Sequence, residues 1–149
     1  MYASPNMVRS AALSRQSASL YQQVGVESQL AGASPHALVA MLFDGFMEAV
    51  AQARGAMRDK NAAAKGQAIG RAVRIVEEGL RAGLDVRAGG DLARDLGELY
   101  AYVTHRLTLA NLRNDEAALE ECQRLMQPLR DAWVAIGTNP TAGNSATVR

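Results

Sequence analysis

Apolar residues recur every three to four positions from residue 34 to residue 137, the period of an amphipathic helix, and no stretch alternates with period two. The first long segment opens at Ala33-Ser34-Pro35-His36. Ser34 is a good N-cap, and Pro35 stands at the first helical position, where a missing N–H costs nothing. The spacing predicts a helix from there to about residue 58. At about 100° per residue, Leu38, Val39, Leu42, Phe43, Phe46, Met47, Val50, Ala53 and Met57 fill one side, and Asp44, Glu48 and Gln52 the other. A second helix is predicted over 62–82, with Ile69, Val73, Val76, Leu80 and Leu84 on one stripe and Glu77 paired to Arg81 one turn on. Gly83 and Ala88-Gly89-Gly90 supply a stop and a turn. The third helix starts at Gly90 or Asp91, with Leu92, Leu96, Leu99, Val103, Leu107 and Ala110 on one face, and closes over 111–114. Asn114 or Asp115 caps the fourth. There Ala118, Leu119, Cys122, Leu125, Met126, Leu129, Trp133 and Ile136 share an arc before Gly137. Pro128 lies inside this last segment, and the loss of its N–H should kink the helix or divide it into 115–127 and 128–136.

Four helices of this length, each about 30 Å long, joined by short connections favour antiparallel neighbours. The expected fold is all-α: an up-down four-helix bundle over 34–137. Residues 1–33 read as a flexible N-terminal arm with a short cap helix near 17–23, and 138–149 as a flexible tail.

Composition narrows the function more than it changes the fold. The chain has 149 residues, 48% of them hydrophobic, and this suits one domain with a sizeable core. Sixteen basic and fifteen acidic residues leave a net charge of +1, so a nucleic-acid grip built on surplus Lys and Arg is not expected. No apolar run is long enough for a membrane span, and the N-terminus lacks the apolar core of a secretory signal. Residues 1–26 carry Arg9, Arg15 and no acid, loosely like a transit peptide, though short basic termini are common. One cysteine fits a reducing compartment, and with two histidines it supplies no zinc site. Cys122 falls on an apolar arc and reads as a small buried hydrophobe. His36 reads as a solvent-facing first-turn residue. Gly89-Gly90-Asp91 lacks the strand and the Lys-Ser/Thr of a phosphate loop, and a helix–helix turn explains it. No catalytic constellation and no cofactor or metal site emerges.

Surplus apolar residues are more informative. Met47 and Met57 belong to a core arc, but Met41 projects toward Glu48 and Gln52. Tyr102 and Leu109 lie one heptad apart on a second side of the third helix, with Leu112 nearby, and Ile75 falls off its helix's main stripe. A simple bundle needs one apolar face per helix. These extra residues point to a groove that takes either the chain's own arm or a partner helix.

Ordered local runs carry a family resemblance. Leu20-Tyr21-Gln22-Gln23-Val24-Gly25-Val26-Glu27-Ser28 and Ala33-Ser34-Pro35-His36-Ala37-Leu38-Val39-Ala40-Met41-Leu42-Phe43-Asp44-Gly45 resemble the N-terminal signature of the bacterial flagellar secretion chaperones, the FliS family. Ala64-Lys65-Gly66, Gly79-Leu80-Arg81-Ala82-Gly83-Leu84-Asp85, Gly89-Gly90-Asp91-Leu92-Ala93, Ala110-Asn111-Leu112-Arg113-Asn114-Asp115 and Ala132-Trp133 follow in the family's order. The resemblance implies a non-enzymatic cytoplasmic chaperone with the bundle fold. Its partner would be the disordered C-terminal segment of flagellin, which wraps the bundle and is kept from premature polymerisation, and it would help deliver that cargo to the flagellar type III export gate. The resemblance further implies that Tyr21 on the arm covers part of the cargo groove. The expected partner-binding set is then Tyr21 and Val24 on the arm with Met41, Ile75, Tyr102, Leu109 and Leu112 on the helices. A different class of reading, a helical adaptor for a flagellar regulator such as an anti-sigma factor, would use the same groove. The arm before Tyr21 and the proline at 128 depart from the family pattern.

Overall fold

A computed structural model of the chain describes residues 33–138. The arm with its short helix near 17–23, and the tail from residue 139 onward, lie outside the described residues. Four helices and no strand are present among the described residues: α1 (Pro35–Arg58), α2 (Ala62–Arg74), α3 (Val86–Arg113) and α4 (Glu116–Thr138). From Ile75 to Arg81, α2 continues as a π-helical stretch bonded i to i+5.

Side-chain caps set most of these boundaries. Ser34 Oγ accepts from Ala37 N at 3.1 Å, with Pro35 behind it at the first helical position. Asn61 Oδ1 does the same for Ala64 N at 3.1 Å, and Asp115 Oδ1 for Ala118 N at 3.2 Å. Each satisfies an N–H that the first turn leaves without a partner. Asn114 ends α3 in the left-handed conformation, at φ 51°. The start of α3 differs from expectation. Asp85 accepts from Arg87 N and Ala88 N, so a helical turn begins at Val86, four or five residues early. Gly90, at φ 56° and ψ −132°, then breaks the helix without ending it. The glycine pair is an interruption inside an element, because an earlier carboxylate caps the turn before it. The last helix runs through Pro128 as one element, not two.

The four helices form a closed ring. α1 packs between α2 and α4, and α3 between α2 with its π-helical extension and α4. Phe46, Leu42, Ile75, Leu107, Leu119 and Met126 are the largest side chains fully removed from water. Burying each stabilises the fold by about 1.5–3 kcal/mol before entropy is counted. The Cys122 thiol is buried among them and points at Val103 O, 3.7 Å away. Burial pushes its pKa up to about 12, so it packs as a small hydrophobe.

Ile75 corrects the expectation that it lines a surface groove: it is fully buried in the core. The stripe drawn through Ile69, Val73, Val76 and Leu80 omitted the small residues. Ala68, Ala72 and Gly79 are buried as well. They lie on the arc between Ile69 and Ile75, and widen the buried face of α2 until it includes Ile75. Met41 is corrected in the same direction, being half-buried and packed against the core edge.

Candidate functional site

The two ends of the bundle are built differently. At the end where α1 finishes and α4 begins, charged groups close the seams. Arg58 Nη2 and Arg54 Nη2 reach Glu116 Oε2 at 2.5 and 3.0 Å, and Arg54 Nη1 also donates to Gln123 Oε1 at 2.7 Å. Hydrogen bonds from Arg58 and then Arg54 hold the Glu116 carboxyl below the ordinary range, against partial desolvation. Across the ring, buried Lys65 donates to Asn111 O at 2.9 Å and to Asn114 Oδ1 at 2.5 Å. Its ammonium thus satisfies carbonyls at the C-terminus of α3, where the helix dipole also favours a cation.

On the outer side of the seam between α3 and α4, the Tyr102 hydroxyl donates to Glu121 Oε2 at 2.6 Å and Arg106 Nε to Glu121 Oε1 at 2.6 Å. These two hydrogen bonds lower the Glu121 pKa. Tyr102 is 43% exposed, Leu112 is 75% exposed, and Leu109 is half-buried outside the core cluster. These three predicted residues therefore remain together as an apolar strip along α3. Met41 is on a different seam. It sits eleven residues, about three turns, before Gln52, which bonds Arg71 of α2 across the α1/α2 junction. Tyr21 and Val24 lie outside the described residues.

The opposite end gathers the start of α1, the start of α3 and the end of α4, and sequence reasoning misjudged it. His36 is not solvent-facing. Its ring stacks on Trp133, with centroids 4.8 Å apart and planes 7° from parallel. Trp133 Nε1 donates to His36 O at 3.0 Å, and His36 Nε2 donates to Trp133 O at 2.6 Å, which fixes the proton on that nitrogen. A Cβ at Gly137 would overlap the His36 ring, so a larger residue there would displace the stack. Beside this clasp, Leu92 and Ile136, both assigned to core arcs, are 69% and 50% exposed, and Val86 is 53% exposed. A helical wheel gives a side chain's direction but not whether a neighbouring helix reaches that height. Exposure of Leu92 and Ile136 could have been suspected only from their places at the ends of α3 and α4.

Among the described residues no group of three or more His, Cys, Asp or Glu is placed to hold a metal ion. No helix among them is long and apolar enough to cross a membrane. The arrangement offers apolar surface and hydrogen-bonding rims, the chemistry of polypeptide recognition.

Comparison with known proteins gives a consistent picture. The family model described as flagellar protein FliS matches residues 17–140. The flagellar secretion chaperone FliS of Salmonella typhimurium is 47% identical over 116 residues, 78% of this chain and 86% of the relative. The flagellar secretion chaperone FliSB of Pseudomonas aeruginosa is 43% identical over 116 residues, 78% of this chain and 91% of the relative. The Bacillus subtilis flagellar secretion chaperone FliS is 28% identical over 113 residues, 76% of this chain and 80% of the relative.

Proposed function

Because the chain belongs to the FliS family of flagellar proteins, we propose that it is a non-enzymatic flagellar export chaperone of the bacterial cytoplasm whose cargo is the disordered C-terminal segment of flagellin. The observation that carries this reading is large apolar side chains left in water on an otherwise well-capped bundle: Leu92 and Ile136 at one end, Tyr102 and Leu112 along α3. A disordered cargo loses ordering entropy when it folds on its chaperone, and it recovers that cost only by burying apolar area over a long path. Apolar side chains spread along α3 and at an open bundle end suit such a path better than a single compact pocket does. Bound in this way, the flagellin segment is unavailable for premature polymerisation, and the complex is what reaches the flagellar type III export gate.

The arm completes the reading. Residue 33 enters the bundle at the open end, beside the His36–Trp133 clasp. Tyr21 and Val24 precede it by twelve and nine residues, a reach of about 30–40 Å when extended. Placed over the apolar surface, they compete with cargo and lower its net affinity, which favours release. Tyr suits this role because its ring buries apolar area while its hydroxyl stays hydrogen-bonded.

Co-purification with flagellin tests the assignment. Full-length flagellin is expected to be retained, and flagellin lacking its last few dozen residues is not; retention of the truncated form would sink the tail-binding mechanism. An anti-sigma regulator bound at the same surface would compete with the flagellin segment in this assay.

A further inference from the structure

The seam between α1 and α2 holds a recess of about 310 Å³ lined by Gln52, Ala64, Gln67, Ala68 and Arg71. Its lining is unlike the apolar strip on α3. Two alanine methyls, two side-chain amides and one guanidinium are present, and no carboxylate. Arg71 lines the recess, and its Nε is buried with no hydrogen-bond partner, the one such side-chain N or O atom among the described residues. Buried polar groups are nearly always paired, so a lone exception calls for a physical explanation, and an acceptor from a bound group is one.

The pairing of the guanidinium says what that group is. Arg71 Nη2 donates to Gln52 Oε1. Gln52 offers one amide oxygen, so it satisfies one donor and leaves the neighbouring Nε without an acceptor. A carboxylate carries two oxygens at the spacing of two parallel guanidinium N–H groups and satisfies both at once, with charge assistance an amide cannot supply. Gln52 is exposed and held on its other side only by Nε2 to Glu48 Oε1 at 3.5 Å, so it is free to rotate away. Glu48 itself lies one turn along α1 and does not line the recess.

We propose that the Gln52–Arg71 recess is a carboxylate-binding subsite, with Gln52 as its resident stand-in, and that it takes an acidic side chain of the bound export cargo. The second half of this statement rests on the chaperone reading above; the first does not. It gives the α1/α2 seam a polar anchoring role, distinct from the apolar contacts along α3 and at the open end.

The test is a titration of the full chain with sodium acetate, followed through the arginine Nε–Hε resonances in a ¹H–¹⁵N spectrum. The Arg71 resonance is expected to move saturably, and sodium chloride at matched ionic strength should not reproduce the shift. If Arg71 moves no more than the other arginines, or equally in chloride, the subsite is overturned. The cargo assignment is read separately by calorimetry with the isolated flagellin C-terminal segment. Arg71→Lys keeps the charge but loses the fork, and affinity is expected to fall about fivefold with an unchanged urea midpoint. Unchanged affinity in Arg71→Lys would overturn the cargo assignment. Failure of the unsubstituted chain to bind the segment at all would instead overturn the chaperone reading, with the acetate result still deciding the subsite.

Discussion

The end of the bundle around Glu116 and Lys65 and the end around Trp133 are made of the same four helices, yet they spend their side chains differently. At the first, Arg54 and Arg58 converge on Glu116, Lys65 is buried against the last carbonyls of α3, and Leu119 is fully enclosed. At the second, the His–Trp stack and the Arg130–Asp44 pair hold α1 to α4, while Leu92, Val86 and Ile136 stand in water. At the first end paired polar groups close the seams; at the second, pairs such as Arg130–Asp44 and Arg94–Asp91 stand beside large apolar side chains left in water. The difference teaches that enclosed or paired side chains hold the fold, while exposed apolar ones, at the open end and on α3 as far as Leu112, are left over by it. Substitutions of the first kind should alter stability, and those of the second should alter cargo affinity.

The largest expected effect is at the closed end. Leu119→Ala empties a fully buried site and should lower unfolding free energy by about 2–5 kcal/mol, whereas Leu92→Ala should fall within about 0.5 kcal/mol of the parent; paired urea titrations compare the two. Equal losses would erase the distinction between the ends. Next comes Lys65→Met, which leaves Asn111 O and Asn114 Oδ1 without their donor and should cost about 1–3 kcal/mol. Hydrogen exchange should show the added opening concentrated at the end of α3, not at the His36 clasp.

A smaller effect is set by pH. Glu116 and Glu121 have folded pKa values below the ordinary 4.5 because arginine and tyrosine donors stabilise their carboxylates. A group with a lowered folded pKa contributes stability above its unfolded pKa and loses it as pH falls through the folded value. The seams these two carboxylates bridge should therefore weaken below about pH 4.5. Glu116→Gln should flatten that part of the pH dependence of the urea midpoint, and a profile unchanged by the substitution would argue against these carboxylates as its source.

Much of the fold was legible because the signals were local. Ser34-Pro35, Asn114-Asp115 and the run of apolar residues at helical spacing fixed elements and boundaries without reference to tertiary contacts. The start of α3 was misread because Asp85 caps a turn ahead of the glycine pair, and two competing local signals were present. The candidate binding residues were legible only in part. Tyr102, Leu109 and Leu112 stand off the core because their direction on α3 alone decides their exposure. Ile75 was misplaced because alanine and glycine define a buried face without looking apolar. Leu92 and Ile136 looked like core because exposure at a bundle end depends on where neighbouring helices stop, which no single-helix pattern contains. Arg71 was not singled out, since its missing acceptor is a property of the α1/α2 seam.

The central claim is that cargo binds the apolar surface that the fold does not need. The most direct measurement is calorimetric affinity of the isolated flagellin C-terminal segment for the Leu92→Ser/Leu112→Ser double variant, with the urea midpoint taken on the same samples. The account predicts at least a tenfold loss of affinity, about 1.4 kcal/mol, with the midpoint unchanged. Undiminished affinity, or a loss that tracks a falling midpoint, would contradict it.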